Sequence, residues 1–279
     1  MTIETRSITT ADGVRLNVLE AGRGKPLVLI PGWSQTAAQF RRQLEGLSDR
    51  YRVIAIDMRG HGDSDKPAHG YRIQRLAQDV RQVLVAMDLQ DVTILGHSMG
   101  CSVLWCYFDL FGAERVSKFV FCDEPPMLTA DPTWSAQQAE DAGAIFTPEA
   151  VTQTMNALAG PDGVATTTGF VGGMVTSKMP AETLQWMIAE NLKLPRAHAA
   201  TLLYNHCHQD WRDVFARIDV PSLFIGGRVS LVPWKSVAWA ASQVKGARLE
   251  IFEEAEGGQH FMFEENPAKF NRIVAEFIG

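Results

Sequence analysis

Short apolar runs that stop abruptly at turn residues recur along the chain. The clearest are LVLIPGW (Leu27–Trp33), RVIAIDMRGHG (Arg52–Gly62), VTILGHS (Val92–Ser98), VSKFVFCDEPP (Val116–Pro126) and SLFIGG (Ser222–Gly227). Each is apolar on successive residues, not on alternate ones, which predicts a strand buried on both faces. ARLEIFEEAEGG (Ala247–Gly258) predicts a further strand. Between these runs, apolar residues return at helical spacing over Gln74–Met87, Met99–Phe111, Trp234–Val244 and Pro267–Ile278. Alternating strand and helix predicts a mostly parallel sheet with helices on both sides. Near the start, ETRSIT and VRLNVLEAG flank Ala11-Asp12-Gly13. That is a hairpin signal, so the sheet is expected to begin with antiparallel strands.

The rhythm breaks between residues 127 and 212. Helical stretches such as PEAVTQTMNALAG and PAETLQWMIAENL replace the strands, joined by Gly- and Pro-rich links. This predicts a helical cap inserted over the C-terminal edge of the sheet. The core α/β domain would then comprise residues 1–126 and 213–279. With 279 residues, 46% of them hydrophobic, the chain can build a large core without metals or disulfides.

Composition removes several classes. The formal net charge is −6, and Lys and Arg are scattered singly, which argues against nucleic acid as a partner. No apolar run approaches the ~18 residues of a membrane span. The N-terminus, MTIETRSITTADG, lacks an apolar leader core, so a cytoplasmic protein is expected. The four cysteines form no CxxC pair and read as buried free thiols. A zinc site on Cys207, His206 and His208 is the sharper alternative, but histidines at i and i+2 rarely face one ligand sphere on a helix. No metal is expected.

Candidate chemistry begins at ILGHSMG. Gly96-His97-Ser98-Met99-Gly100 matches G-x-S-x-G between a strand and a helix. Such a turn strains the serine backbone, needs small flanking residues, and lifts the hydroxyl above the strand ends. The backbone N–H of Met99, at the helix start, would point toward a developing oxyanion.

With these motifs in place, the chain resembles the α/β-hydrolase superfamily over essentially its whole length. IPGW stands where the family usually has a His-Gly turn after the third strand. DMRGHGDSDKP (Asp57–Pro67) resembles its Asp-x-Arg-Gly-x-Gly-x-Ser segment, ILGHSMG its nucleophile elbow, and EGGQHF its histidine loop. The resemblance implies a mostly parallel eight-stranded sheet flanked by helices, with a helical cap. It makes the backbone N–H of Trp33 the second oxyanion donor, a role Gly32 would permit by letting that backbone come close. The Trp33 indole is expected either to line the pocket or to cap the core.

His260 lies late in the chain, after the last expected strand, where the order Ser…acid…His places the base. His61 reads as structural, His97 as a neighbour of the elbow, and His198, His206 and His208 as cap histidines. The acid is harder to find. The family's usual G-x-x-D-x-x-x-P segment is here GGRVSLVP (Gly226–Pro233), with Val229 in the acid position, and Ser230 cannot act as an anion. A subset of the family, including zearalenone-type lactone hydrolases and cofactor-free ring-cleaving dioxygenases, carries its acid one strand earlier. FVFCDEPP fits that position. Asp123, the first polar residue after the strand, is the expected acid, and Glu124 is the runner-up. Asp210 and Asp213 read as surface charges.

The cap carries Trp134, Phe146, Met155, Phe170, Met174, Met179, Trp186, Met187 and Tyr204. Some of these adaptable side chains should line an apolar pocket, with Trp186, Trp33 and Phe261 as expected substrate contacts. Trp186 is chosen because its place in the cap resembles that of an aromatic in zearalenone-type lactonases. The expected function is cofactor-free hydrolysis of small to medium, mostly apolar esters or lactones, through an acyl-enzyme on Ser98. The expected partner is that small molecule, with no nucleic acid or membrane, and a homodimer is compatible with the sequence. The alternatives are a cofactor-free oxygenase on the same scaffold and a ligand receptor. The serine at the elbow disfavours dehalogenase or epoxide hydrolase chemistry, which uses Asp there.

Overall fold

The computed structural model describes residues 2–279. Eight strands form one sheet: β1 (Glu4–Thr9), β2 (Arg15–Ala21), β3 (Lys25–Ile30), β4 (Tyr51–Ile56), β5 (Val92–His97), β6 (Val116–Cys122), β7 (Ser222–Gly227) and β8 (Arg248–Phe252). Their order is β1-β2-β4-β3-β5-β6-β7-β8. The β1–β2 hairpin and the β2–β4 pair are antiparallel, and every later pair is parallel. The helices joining the strands are α1 (Arg41–Leu47), α2 (Ile73–Ala86) and α3 (Met99–Phe111). Five more, α4 (Ala136–Ala142), α5 (Pro148–Ala159), α6 (Gly163–Gly172), α7 (Ala181–Asn191) and α8 (Arg196–Cys207), lie between β6 and β7. The chain closes with α9 (Trp234–Gln243), the single turn α10 (Met262–Glu265) and α11 (Pro267–Ile278).

The central strands are apolar over most of their length because both sheet faces are covered. Along β3, Val28 and Ile30 join one apolar layer, and Leu27 and Leu29 join the other. Along β6, Phe119 and Phe121 lie in the first layer, and Val120 and Cys122 in the second. This is the period-two alternation of a pleated strand, with hydrophobic residues on both faces of the buried stretch. Helices α2, α3 and α9 cover the first face. Helices α1 and α11 cover the second. The strand over 247–258 is shorter than its sequence suggests. It ends at Phe252, and a 3₁₀ turn leads to Gly257 with φ 77°, which redirects the chain toward His260.

All four cysteines are free and buried. No helix among the described residues is long and apolar enough to cross a membrane.

One buried ion pair ties the loop after β4 to α2. Arg59 Nε and Nη2 donate to the two oxygens of Asp79 at 2.6 and 2.7 Å, and neither side chain is exposed. Arg59 also reaches Asp12 in the β1–β2 turn. Arg75 Nε also lies 3.2 Å from Asp79, so removing Arg59 takes away the bidentate partner and leaves Asp79 buried with one cation beside it. Arg59→Leu is therefore expected to lower the unfolding free energy by about 3 kcal/mol, read from urea denaturation.

Candidate active site

The turn from β5 into α3 sets the geometry. Ser98 has φ 52° and ψ −130°, a strained region for any residue with a Cβ. A Cβ on Gly96 would sit 2.5 Å from the Gly100 carbonyl, and one on Gly100 would sit 2.4 Å from the Ile30 oxygen. The turn can close this tightly only with glycine at both places. Met99 is the first residue of α3, so its N–H has no acceptor within the helix. The loop after β3 passes beside it, and a Cβ on Gly32 would lie 2.9 Å from Ser98 Cβ. The backbone N–H groups of Trp33 and Met99 donate to no other described residue.

Buried polar contacts hold that loop in place. Asp57 Oδ1 accepts from Ala37 N–H at 2.7 Å, and its other oxygen accepts from Asn17 and Asp63. His61 Nε2 accepts from Ser34 N–H at 3.2 Å, while Nδ1 donates to the Arg59 carbonyl at 2.9 Å. That tautomer is neutral, and burial pushes the His61 pKa down to about 4. The unfolded chain would bind this proton near pH 6.5, so His61 contributes stability above that pH and loses it as the pH falls toward 4. The unfolding free energy should drop by about 3 kcal/mol over this window on account of His61 alone. The drop should shrink by that amount in His61→Gln, followed by urea titrations at pH 7 and pH 4.

The structure brings the predicted base and acid together. His260 Nδ1 lies 2.7 Å from Asp123 Oδ2, and both side chains are buried. Asp123 also accepts from Gly227 N–H (3.1 Å) and from Ser230 Oγ (2.5 Å). Ser230 occupies the segment where the family's usual acid would stand. It supplies no charge, but it buttresses the carboxylate that does, a role not read from the sequence. His97, directly before Ser98, is fully buried, and desolvation holds it well below the usual imidazole range. Its Nε2 lies 2.8 Å from the His260 carbonyl and its Nδ1 2.9 Å from Gln35 Oε1. His97 thus links the loop after β3 to the histidine loop.

Asp123 and Glu124 diverge. Asp123 has φ 58°, which breaks the strand's alternation at its last step. Its carboxyl turns to His260. Glu124 goes instead to α3 and α8, where Oε1 is 2.6 Å from His206 Nε2 and accepts from Ser102 Oγ at 3.1 Å. Glu124 is therefore committed to a different histidine.

Ser98, His260, Glu124 and His206 line one cavity between the sheet and the cap. Its walls are mainly apolar, with Leu128, Ile145, Phe146, Phe170, Met174 and Leu231 among them. Trp33 and Phe261 line it. The Trp33 indole both faces the cavity and is anchored, donating to the Ala199 carbonyl at 2.8 Å. Trp186 does not line the cavity, and that expectation is corrected. Asn191 on the same helix does. Five residues of α-helix rotate a side chain by about 140°, so Trp186 points elsewhere. It lies under the Arg41 guanidinium, 4.0 Å from the ring centroid. His206 is buried while His208 is exposed, and among the described residues no group of three His, Cys, Asp or Glu is placed to hold a metal ion. His198 stacks on Tyr71, and Tyr204 is exposed.

The strand order, the strained serine elbow and the late histidine define a class of protein, and comparison with known proteins agrees. A family profile described as "alpha/beta hydrolase fold" matches residues 25–159. The solved esterase EaEST from Exiguobacterium antarcticum superposes with a TM-score of 0.89 at 26% identity, covering 99% of each chain. The AB hydrolase superfamily protein YisY of Bacillus subtilis (strain 168) is 27% identical over 279 residues, 97% of each chain. The non-heme chloroperoxidase CPO-A1 of Kitasatospora aureofaciens is 26% identical over 97% of this chain and 98% of its own. The chain belongs to the α/β-hydrolase superfamily and is an enzyme of that family, a hydrolase.

Proposed function

We propose that the protein hydrolyses carboxylic esters or lactones of small to medium, mostly apolar substrates, with Ser98 as nucleophile. The observation that carries this reading is the buried His260–Asp123 pair, set in the same cavity as the strained Ser98 elbow. Ser98 Oγ makes no hydrogen bond to another described residue, so it is free to turn toward substrate and His260 together.

Asp123 accepts the Nδ1 proton of His260, which leaves Nε2 basic. His260 Nε2 takes the hydroxyl proton as Ser98 Oγ attacks the ester carbonyl. The N–H groups of Met99 and Trp33 hold the oxyanion, and each such donor contributes about 3–4 kcal/mol in the transition state. The imidazolium, stabilised by Asp123, protonates the departing alkoxide. The neutral imidazole then accepts a proton from the water that attacks the acyl-enzyme and returns it to Ser98 Oγ as the acid is released. The apolar walls favour a substrate with an apolar body, and the similarity to the esterase EaEST supports this chemistry.

The test is covalent. An alkyl fluorophosphonate should label Ser98, located by peptide mass, and should abolish hydrolysis of p-nitrophenyl esters in parallel. Labelling elsewhere with full loss of activity would overturn the assignment.

A further inference from the structure

The cavity holds a second acid–histidine pair that the proposed mechanism does not use. His206 Nε2 and Glu124 Oε1 are 2.6 Å apart, with side chains only 4% and 2% exposed. Ser102 Oγ donates to the same carboxylate oxygen. Both residues line the cavity containing Ser98 and His260, among walls that are otherwise largely apolar. His206 Nδ1 is buried with no partner. Glu124 Oε2 makes no hydrogen bond to any described residue.

A pair kept only for stability would be poorly built. Desolvating a carboxylate and an imidazole costs several kcal/mol, and well-packed apolar side chains usually serve as well. A structural network also satisfies its polar atoms, and this one leaves a ring nitrogen without a partner. His206 Nδ1 has no exposed surface, whereas Glu124 Oε2 is unpaired on a residue that lines the cavity, so a ligand group can reach the carboxylate oxygen. A carboxylate oxygen only accepts, so that group must be a donor.

The position sets the scale. Ser102, which touches the pair, lies in the first turn of α3, four residues beyond Ser98 at the N-cap. One turn of helix rises about 5.4 Å, so the pair stands on the order of 6 Å from the nucleophile.

We propose that Glu124 and His206 form a specificity site that accepts a hydroxyl or N–H group carried by the substrate about 6 Å from its reacting carbonyl. The inference rests on the hydrolase reading above and narrows it to apolar esters or lactones with one such donor. A methyl group in its place would leave the Glu124 carboxylate oxygen unpaired, which is how a polar pocket rejects the wrong substrate.

The test compares matched substrates. Two pairs place a phenol hydroxyl or a methyl group at the same site: p-nitrophenyl esters of 4-hydroxyphenylacetic and 4-methylphenylacetic acid on the acyl side, and 4-hydroxybenzyl and 4-methylbenzyl acetate on the alcohol side. In the wild type the hydroxyl member of at least one pair should show a kcat/KM about 10-fold or more above its partner. In the double variant Glu124→Leu/His206→Leu that preference should vanish or reverse. Equal rates within both pairs for the wild type, or a preference that survives in the double variant, would overturn the proposal. Esters cleaved without discrimination would leave the hydrolase reading intact. If no ester is cleaved and the fluorophosphonate does not label Ser98, the hydrolase reading fails instead. Calorimetric binding of (4-hydroxyphenyl)acetone against (4-methylphenyl)acetone then reads the same discrimination without turnover: a 10-fold tighter hydroxyl member supports the site, and equal binding rejects it.

Discussion

Ser98→Ala should reduce kcat for p-nitrophenyl acetate about 10⁶-fold while leaving the protein folded. The size of the effect follows from covalent catalysis. Without Oγ there is no acyl-enzyme, His260 has no hydroxyl to activate, and only the oxyanion donors and the cavity remain. Such remnants still accelerate a reaction ~10³–10⁴-fold over water, so a small residual rate is compatible with the loss. The fold should survive because the costly features of the elbow are in its backbone. Alanine keeps the Cβ that Ser98 already carries at φ 52°, and the tight contacts belong to Gly96 and Gly100. An unchanged circular dichroism spectrum and urea midpoint would establish this. A variant that still turned over at more than about a hundredth of the wild-type rate would remove Ser98 from the chemistry, and with it the acyl-enzyme mechanism.

Much of this architecture was legible in the sequence, for a common physical reason. Strands buried on both faces are apolar on successive residues where they cross the core, so β3 to β7 announced themselves as runs. The elbow was legible because its geometry tolerates so few residues. The positions of His260 and Asp123 followed from the resemblance, together with the turn signals that end β6 and β8. Features that depend on contacts across long sequence separations were not legible. Helix α1 escaped notice because RRQLEGL is short and half charged, and it gains its helical state by packing Leu44 and Leu47 under α11. Ser230 looked like a gap in a motif until folding set its hydroxyl on Asp123, 107 residues away. The Glu124–His206 contact spans 82 residues and needs α8 to fold over the sheet. Trp186 was misplaced because a helix's rotation cannot be fixed from an aromatic residue alone. The inward face of α7 is set by Met187 and Asn191, one turn apart.

Asp123→Asn should cost about 10⁴-fold in kcat, with little change in KM. The reason is a conflict among donors. Asp123 receives three hydrogen bonds, from Gly227 N–H on one oxygen and from Ser230 Oγ and His260 Nδ1 on the other. A carboxylate accepts all three. An amide has one acceptor and one donating group, so in either orientation at least one N–H or O–H meets another donor. If the amide nitrogen faces His260, the imidazole must place its proton on Nε2, the atom that has to accept from Ser98. If it faces Gly227, the ring keeps its tautomer, but the developing imidazolium loses its counter-charge in a buried site. Both routes raise the barrier for the chemical step and leave the cavity walls, and so substrate binding, largely as they were. Glu124→Gln separates this assignment from its rival. Glu124 is bonded to His206 and Ser102, not to His260, so Glu124→Gln should leave most of the rate on p-nitrophenyl acetate, which has no group to reach that end of the cavity. A larger kcat loss in Glu124→Gln than in Asp123→Asn would mean that the acid working with His260 is Glu124, reached through a rearrangement of the 123–126 turn on substrate binding.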